Sequence, residues 1–149
     1  MFPNAKGSEQ LSILATLDPS NQAAGSASTG WVSLSGHHNL LALVQTGVLA
    51  TGATVDAKLQ QALDATGTGA KDVAGKAITQ LAQAASGANR QALINLRSDE
   101  MDANGGYAYA RLVVTVASAA ANTAAQLLGV NPRLAPAESA NQAAVTQVI

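Results

Sequence analysis

Short segments in which apolar and polar residues alternate recur along this chain, and they constrain its fold more than any other feature. A period of two places successive side chains on opposite faces, as in a half-buried β-strand. In residues 53–61, Val55, Ala57 and Leu59 share one face and polar or charged residues take the other. The same period predicts strands at 10–18, 31–35, 90–97, 107–117 and 123–130, shorter ones at 72–73 and 76–82, and a central strand, apolar on both faces, at 39–46.

Turn-forming residues separate these segments at intervals of about 8–12 residues, the spacing typical of β-sandwiches. Residues 19–30 and 99–106 are expected to be loops, and the glycines of 65–69 favour a tight turn. Alanine favours helices, but Val, Thr and Ile cluster where the alternation is clean, and capping residues bracket no long segment. Short helices are expected at most within 98–102 or 75–85. The pattern predicts an all-β, antiparallel β-sandwich of jelly-roll type with about eight strands.

Much of the hydrophobic fraction is alanine, which limits how much a single core can contribute to stability. Hydrophobic residues make up 48% of the chain, but aromatic residues make up 3% and charged residues 11%. Burial stabilises in proportion to apolar area, so an alanine-rich core contributes less than one of larger side chains. One interpretation is a small domain of modest stability. The other, which we favour, is a subunit that also buries surface against its own copies or a scaffold.

The charge balance and residue inventory argue against several partners. Eight Lys and Arg against nine Asp and Glu give a net charge of −1, so nucleic acid and anionic membranes are not expected partners. The chain has no cysteine and two histidines. Its first residues lack the apolar core of a secretory signal, and its longest strongly apolar stretch, 40–44, is far shorter than a membrane span. We therefore expect synthesis in the cytoplasm.

Candidate catalytic and metal-binding residues form no complete motif. His37 and His38 are adjacent, so on a strand they point to opposite faces and cannot share a metal. Glu100, Asp102 and Asn104 resemble the start of a calcium loop, but Arg111 stands where a bidentate carboxylate belongs. A looser surface calcium site and a solvated turn both remain open. We expect no enzymatic activity and no cofactor.

Three long blocks of the sequence resemble a family of small virion structural proteins of tailed bacteriophages. The blocks are VDAKLQQALDATGTGAKDVAGKAITQL, QALINLRSDEMDANGGYAYARLVVTV and LGVNPRLAPA, within residues 31–137, with a looser match at LSILATLDP. The resemblance implies assembly rather than catalysis, with a location in the virion. A decoration (cement) protein on the capsid surface, stabilising the head between capsomers, is our first interpretation. A neck or tail component is the alternative, and a carbohydrate- or surface-binding adhesion module is a third.

The decoration interpretation implies partners and an arrangement of segments. The partners would be the major capsid protein and copies of this chain, as a trimer or larger cluster. We expect an N-terminal arm at 1–9, the sandwich at 10–130 and a C-terminal arm at 131–149. The residues expected at assembly interfaces are Phe2, Pro3, Trp31, Tyr107, Tyr109, Arg133, Val145, Val148 and Ile149. The aromatic residues among them would serve an adhesion module instead as a carbohydrate platform.

Overall fold

The computed structural model describes residues 4–137 and 142–149. Within them, one short α-helix (α1, Gly7–Gln10) precedes the strands, and 3₁₀ turns lie at Gln83–Ala85, Ser98–Glu100 and Gln142–Ala144. The ten strands are Leu11–Gln22 (β1), Gly25–Ser28 (β2), Val32–Ser33 (β3), His37–Leu49 (β4), Thr54–Ala62 (β5), Lys71–Ala77 (β6), Leu81–Ala82 (β7), Gln91–Arg97 (β8), Tyr109–Ala117 (β9) and Ala121–Pro132 (β10).

The strands form two antiparallel sheets with the order of a jelly roll. One sheet has four strands in the order β1-β10-β4-β8, and the other has β2-β9-β5-β6, with β3 beside β9 and β7 beside β5. The chain crosses between the sheets from β1 to β2, β3 to β4, β4 to β5, β7 to β8, β8 to β9 and β9 to β10. This alternation winds the long strands into two layers, as in jelly rolls. The predicted all-β sandwich is confirmed, with ten strands because β3 and β7 are two-residue additions.

Several boundaries differ from the sequence-based expectation, and the short strands expected at 72–73 and 76–82 are replaced by β6 and the two-residue β7. The expected loop at 19–30 is wrong, because β1 continues to Gln22 and β2 follows it. A register shift between Leu17 and Ser20 accommodates Pro19, which an edge strand tolerates. The expected strand at 31–35 shrinks to Val32–Ser33. The strand expected from residue 107 begins at Tyr109, because the Tyr107 N–H bonds to the Asp102 carbonyl in the preceding turn.

The core between the sheets consists mainly of leucine, valine and alanine, with Ile94 and Met101. Alternate residues of the long strands point inward, and the largest fully buried side chains include Leu40, Leu59, Leu96, Leu112 and Leu127. Alanines fill much of the remaining interior, among them Ala42, Ala53, Ala57, Ala110 and Ala121. Because no buried side chain among the described residues is aromatic, the leucines carry most of the apolar area.

The segments on either side of the sandwich meet each other. The Ala137 N–H donates a hydrogen bond to the Glu9 carbonyl, and the Arg133 N–H donates one to the Gly36 carbonyl. The division into two arms and a sandwich stays a prediction. Among the described residues, no helix has the length and hydropathy needed to cross a membrane.

Candidate assembly surfaces

The predicted aromatic residues gather around the turn between β5 and β6. Trp31 is half-buried against Gly67, and the Arg111 guanidinium lies 4.5 Å from the indole centroid. The Tyr107 hydroxyl donates a hydrogen bond of 3.0 Å to the Gly69 carbonyl, and Lys71 lies 4.1 Å from the centre of its ring. The structure therefore brings Trp31 and Tyr107 to the same turn, and both are already engaged by their own chain.

Tyr109 and Arg133 occupy different positions. Tyr109 begins β9, pairs with Ala62 and Ser33 on its two sides, and is half-buried. Arg133 is exposed just beyond β10. Phe2 and Pro3 lie outside the described residues.

The predicted residues of the C-terminal arm are largely uncovered. Val145 is half-buried, whereas Val148 and Ile149 are exposed to 66% and 104% of their reference areas.

Gly67→Ala is expected to displace the indole and shift the fluorescence of Trp31, the chain's single tryptophan, to longer wavelength. A Cβ at Gly67 would lie 2.5 Å from the indole Nε1, and the φ of +88° adds a backbone cost of about 1–2 kcal/mol. Gly69→Ala is the matched control, since Gly69 has a φ of +66° in the same turn and faces Tyr107 instead. Both variants should lose stability in denaturant titrations, but only Gly67→Ala should change the emission. Equal emission from the two variants would contradict the placement of Trp31.

Lysine–carboxylate pairs cover the six-stranded sheet and the adjoining turn. Lys58 pairs with Asp72 at 2.8 Å, Lys71 with Asp102 at 2.6 Å and Lys76 with Glu100 at 2.7 Å. Hydrogen bonds from Lys58 and Lys71 lower the pKa of Asp72 and Asp102, respectively. The pKa of Glu100 is lowered by the Arg97 backbone N–H first and by Lys76 second. All of these groups are solvent-accessible, so each pair contributes little to stability.

The same contacts account for the candidate calcium ligands. Asp102 accepts a second hydrogen bond, from the Gly105 N–H at 2.9 Å, and so closes the turn in which Asn104 is exposed. The carboxylates of Glu100 and Asp102 therefore each face a lysine ammonium group, and the loop has the contacts of an ion-paired turn.

Asp64 organises the turn after β5, and the hydrogen bonds to its carboxylate predict that the stability of the fold depends on pH. One oxygen accepts hydrogen bonds from the Thr66 N–H, the Thr66 hydroxyl and the Thr68 N–H. These bonds, above all that of the Thr66 hydroxyl, hold the pKa of Asp64 well below its usual 3.8. A lowered folded-state pKa means that the ionised carboxylate stabilises the fold above about pH 4 and loses this effect as pH falls through the folded-state pKa.

Asp64→Asn is therefore expected to lower stability at pH 6, with the difference from the parent protein narrowing as pH falls towards 2. Urea titrations at a series of pH values measure this difference. Thr66→Ala, which removes the hydroxyl donor, should reproduce part of the effect. A difference between Asp64→Asn and the parent that stays constant with pH would contradict this account of the turn.

The two histidines point to opposite sides of β4, as expected from their adjacency. His37 is buried and its Nε2 lies 3.0 Å from the Ser12 hydroxyl, while His38 is exposed. The His37 ring also packs against Gly129 of β10. Across the described residues, no three His, Asp or Glu side chains form a group that could hold a metal ion.

The outer face of the four-stranded sheet carries a continuous set of apolar side chains that sequence reasoning did not identify as a surface. Neighbouring strand residues enter the core, so these side chains point away from it. The charged residues of the four strands are Asp18 and Arg97, both on edge strands. We call this surface the apolar face, and its members are Leu11, Ile13, Leu41, Leu43, Leu93, Leu128 and Val130.

The sequence did contain a signal for this face. In residues 39–46, apolar residues occupy both the odd and the even positions, which predicts a central strand buried on both faces. β4 is indeed central in its sheet, between β10 and β8. However, Leu41 and Leu43 are its outward residues, so the second apolar phase marks a surface rather than the core.

An open groove of about 530 Å³ lies beside the apolar face. Side-chain amides from four strands contribute to its lining, together with Ser, Thr, Gly, Ala and Pro residues. These amides belong to Asn21, Gln45, Gln91 and Asn122. The groove is uncharged and continues the neutral character of this sheet.

Comparisons with known proteins find solved structures that resemble this fold, at low sequence identity and low structural similarity. No protein-family profile and no curated protein sequence matches the chain. The chain is similar to a chain of infectious bursal disease virus strain Gx, at 10% identity and a TM-score of 0.42, over 91% of this chain and 38% of that one. It is also similar to the disulfide-linked pili of Bacillus endospore appendages, at 14% identity and a TM-score of 0.34, over 88% of this chain and 99% of that one.

A third likeness is to the C-terminal extracellular domain of EmbC from Mycobacterium tuberculosis, at 17% identity and a TM-score of 0.36, over 83% of this chain and 42% of that one. The chain thus spans about two fifths of the viral and mycobacterial chains it matches. At these identities and TM-scores, none of the likenesses carries an inference about function.

Proposed function

We propose that this chain is a non-enzymatic structural protein of a bacteriophage virion, acting as a decoration protein on the capsid surface. The observation that carries the proposal is the division of the sandwich into two unlike outer surfaces. The six-stranded sheet carries paired charges, whereas the four-stranded sheet presents the apolar face. A contiguous exposed apolar surface on a protein usually marks a site of interaction with a partner, rather than a surface that stays in contact with water. The sequence blocks that resemble virion structural proteins indicate which kind of assembly it would serve.

The proposed mechanism is multivalent binding between capsomers. Each contact would be weak, but many copies on a symmetric lattice would hold the shell together with high avidity. The proposed contacts with the major capsid protein are the aromatic residues Trp31, Tyr107 and Tyr109 together with the two arms. Phe2 and Pro3 belong to the N-terminal arm, and Arg133, Val145, Val148 and Ile149 to the C-terminal arm.

Copy number in purified particles tests the proposal. Particles made by the phage that encodes this chain would be purified by density gradient, and the chain quantified against the major capsid protein by mass spectrometry. Hundreds of copies per particle are expected for a decoration protein. A ring at the neck or tail would contain about six or twelve copies and would overturn the decoration role. Absence from the particle would overturn the virion role itself.

A deletion tests the part assigned to the C-terminal arm. Removing residues 143–149 is expected to lower particle occupancy while leaving the thermal unfolding of the isolated chain almost unchanged. The physical reason is that Val148 and Ile149 are exposed and contribute little to the core. Equal occupancy of the full-length and shortened chains would show that this segment is not an assembly element.

A further inference from the structure

We propose that the apolar face is an interface between two copies of this chain, with the same face of each copy packed against the other across a two-fold axis. The inference deepens the assembly function proposed above and rests on it for its biological purpose. The aromatic residues Trp31, Tyr107 and Tyr109 and the two arms would remain available for other partners.

The strand register aligns the apolar side chains in rows across the sheet. Ile13, Leu128 and Leu41 occupy one row from β1 through β10 to β4. In the next outward-facing row, Leu43 lies beside Leu93, which is 59% exposed. Leu11 pairs with Val130 on the opposite side of the central row. Polar residues complete these rows, namely Asn95 in the first, Thr16 and Gln126 in the second, and Asn39 and Arg97 in the third. The rows therefore make a mostly apolar surface about four strands wide, with its one charged residue, Arg97, on the edge strand β8.

The character of this surface favours a second copy as its occupant. A partner with charged groups at the contact would lose their hydration without gaining an opposite charge, because the apolar face offers none. A second copy presents the same uncharged side chains, and a self-complementary patch of this kind closes as a two-fold pair. Sheets pack face to face at about 10 Å when their side chains interdigitate.

The size of the surface predicts a weak association. Four strands spaced by about 4.8 Å and five residues of about 3.4 Å each outline roughly 330 Å² per copy. Two such surfaces together amount to about 650 Å², below the roughly 1,000 Å² of stable, specific protein interfaces. We therefore expect a dimer that dissociates on dilution through micromolar concentrations and that gains persistence when many copies are held on one scaffold.

Sedimentation velocity of the full chain over a range of concentrations tests the inference, with two variants that place a charge on the apolar face. Leu93→Glu adds a carboxylate at an exposed position, and Gln126→Glu adds one between Thr16 and Leu43 with almost no change of shape. Each variant should weaken dimerisation at least about tenfold, because the two-fold axis brings like charges together in a desolvated contact. Circular dichroism and thermal unfolding should remain close to those of the parent chain.

Leu63→Glu is the matched control, since Leu63 is also exposed and follows β5 of the other sheet. It should dimerise like the parent chain. A parent chain that stays monomeric up to about millimolar concentration would overturn the inference. So would a dimer that Leu63→Glu weakens as much as Leu93→Glu does. A dimer that responds as expected, in a chain absent from virions, would uphold the interface while overturning the proposed function.

Discussion

Replacing Leu112 with alanine is expected to lower the free energy of unfolding by about 3 kcal/mol. Leu112 is fully buried at the middle of β9, where it pairs with Leu59 of β5. Truncation removes buried apolar area and leaves a cavity. Because the interior is built mainly of leucine, valine and alanine, the neighbours have few side chains long enough to fill that cavity. Urea or guanidinium titration of the purified chain measures the loss.

Leu93→Ala provides the control for Leu112→Ala. The same atoms are removed, but from a side chain that is 59% exposed on the apolar face. We expect a change within about 0.5 kcal/mol when the chain is dilute enough to be monomeric. Similar losses for the two variants would mean that Leu112 is not a core residue or that Leu93 is covered within its own chain.

Gly129→Ala is expected to destabilise the fold by about 2 kcal/mol, although it adds a single methyl group. A Cβ at Gly129 would lie 2.7 Å from the His37 ring, which is buried and lies within hydrogen-bonding distance of Ser12. The ring therefore cannot yield without disturbing this contact between β4 and β1. Denaturant titration again measures the loss.

Two further variants isolate the cause of the Gly129 effect. Gly36→Ala should be nearly neutral, because a Cβ there has no neighbouring atom within 4 Å. In a His37→Ala background, Gly129→Ala should lose most of its cost, since the clashing ring is gone and the two effects are coupled. A cost that is the same with and without the His37 ring would show that the clash is not its origin.

The fold was predictable because apolar and polar residues alternate within the long strands themselves. β5 and β9 show the clean period of two that half-buried strands require, and the structure places their apolar phases inside. The edge strand β2 was missed because its residues, Gly25–Ser28, are small and mostly polar, so they carry no apolar phase. It is held by pairing with β9, a long-range contact that local sequence does not encode.

The surfaces were less predictable, because they depend on which residues meet across the sandwich. Trp31 was expected at an interface, but Gly67 and Arg111, both distant in sequence, engage its indole. The outward leucines of β4 were visible in the sequence. Their assignment to a surface required the topology, which places β4 inside the four-stranded sheet with its buried residues on one side and Leu41 and Leu43 on the other.

Cryo-electron microscopy of intact particles that carry this protein tests the central claim most directly. The account predicts jelly-roll density at regular positions over the head lattice, with the apolar face of each copy buried against another copy. Density confined to the neck or tail would contradict the decoration role. Density on the head in which the apolar face lies open to solvent would contradict the interface on which the proposed assembly depends.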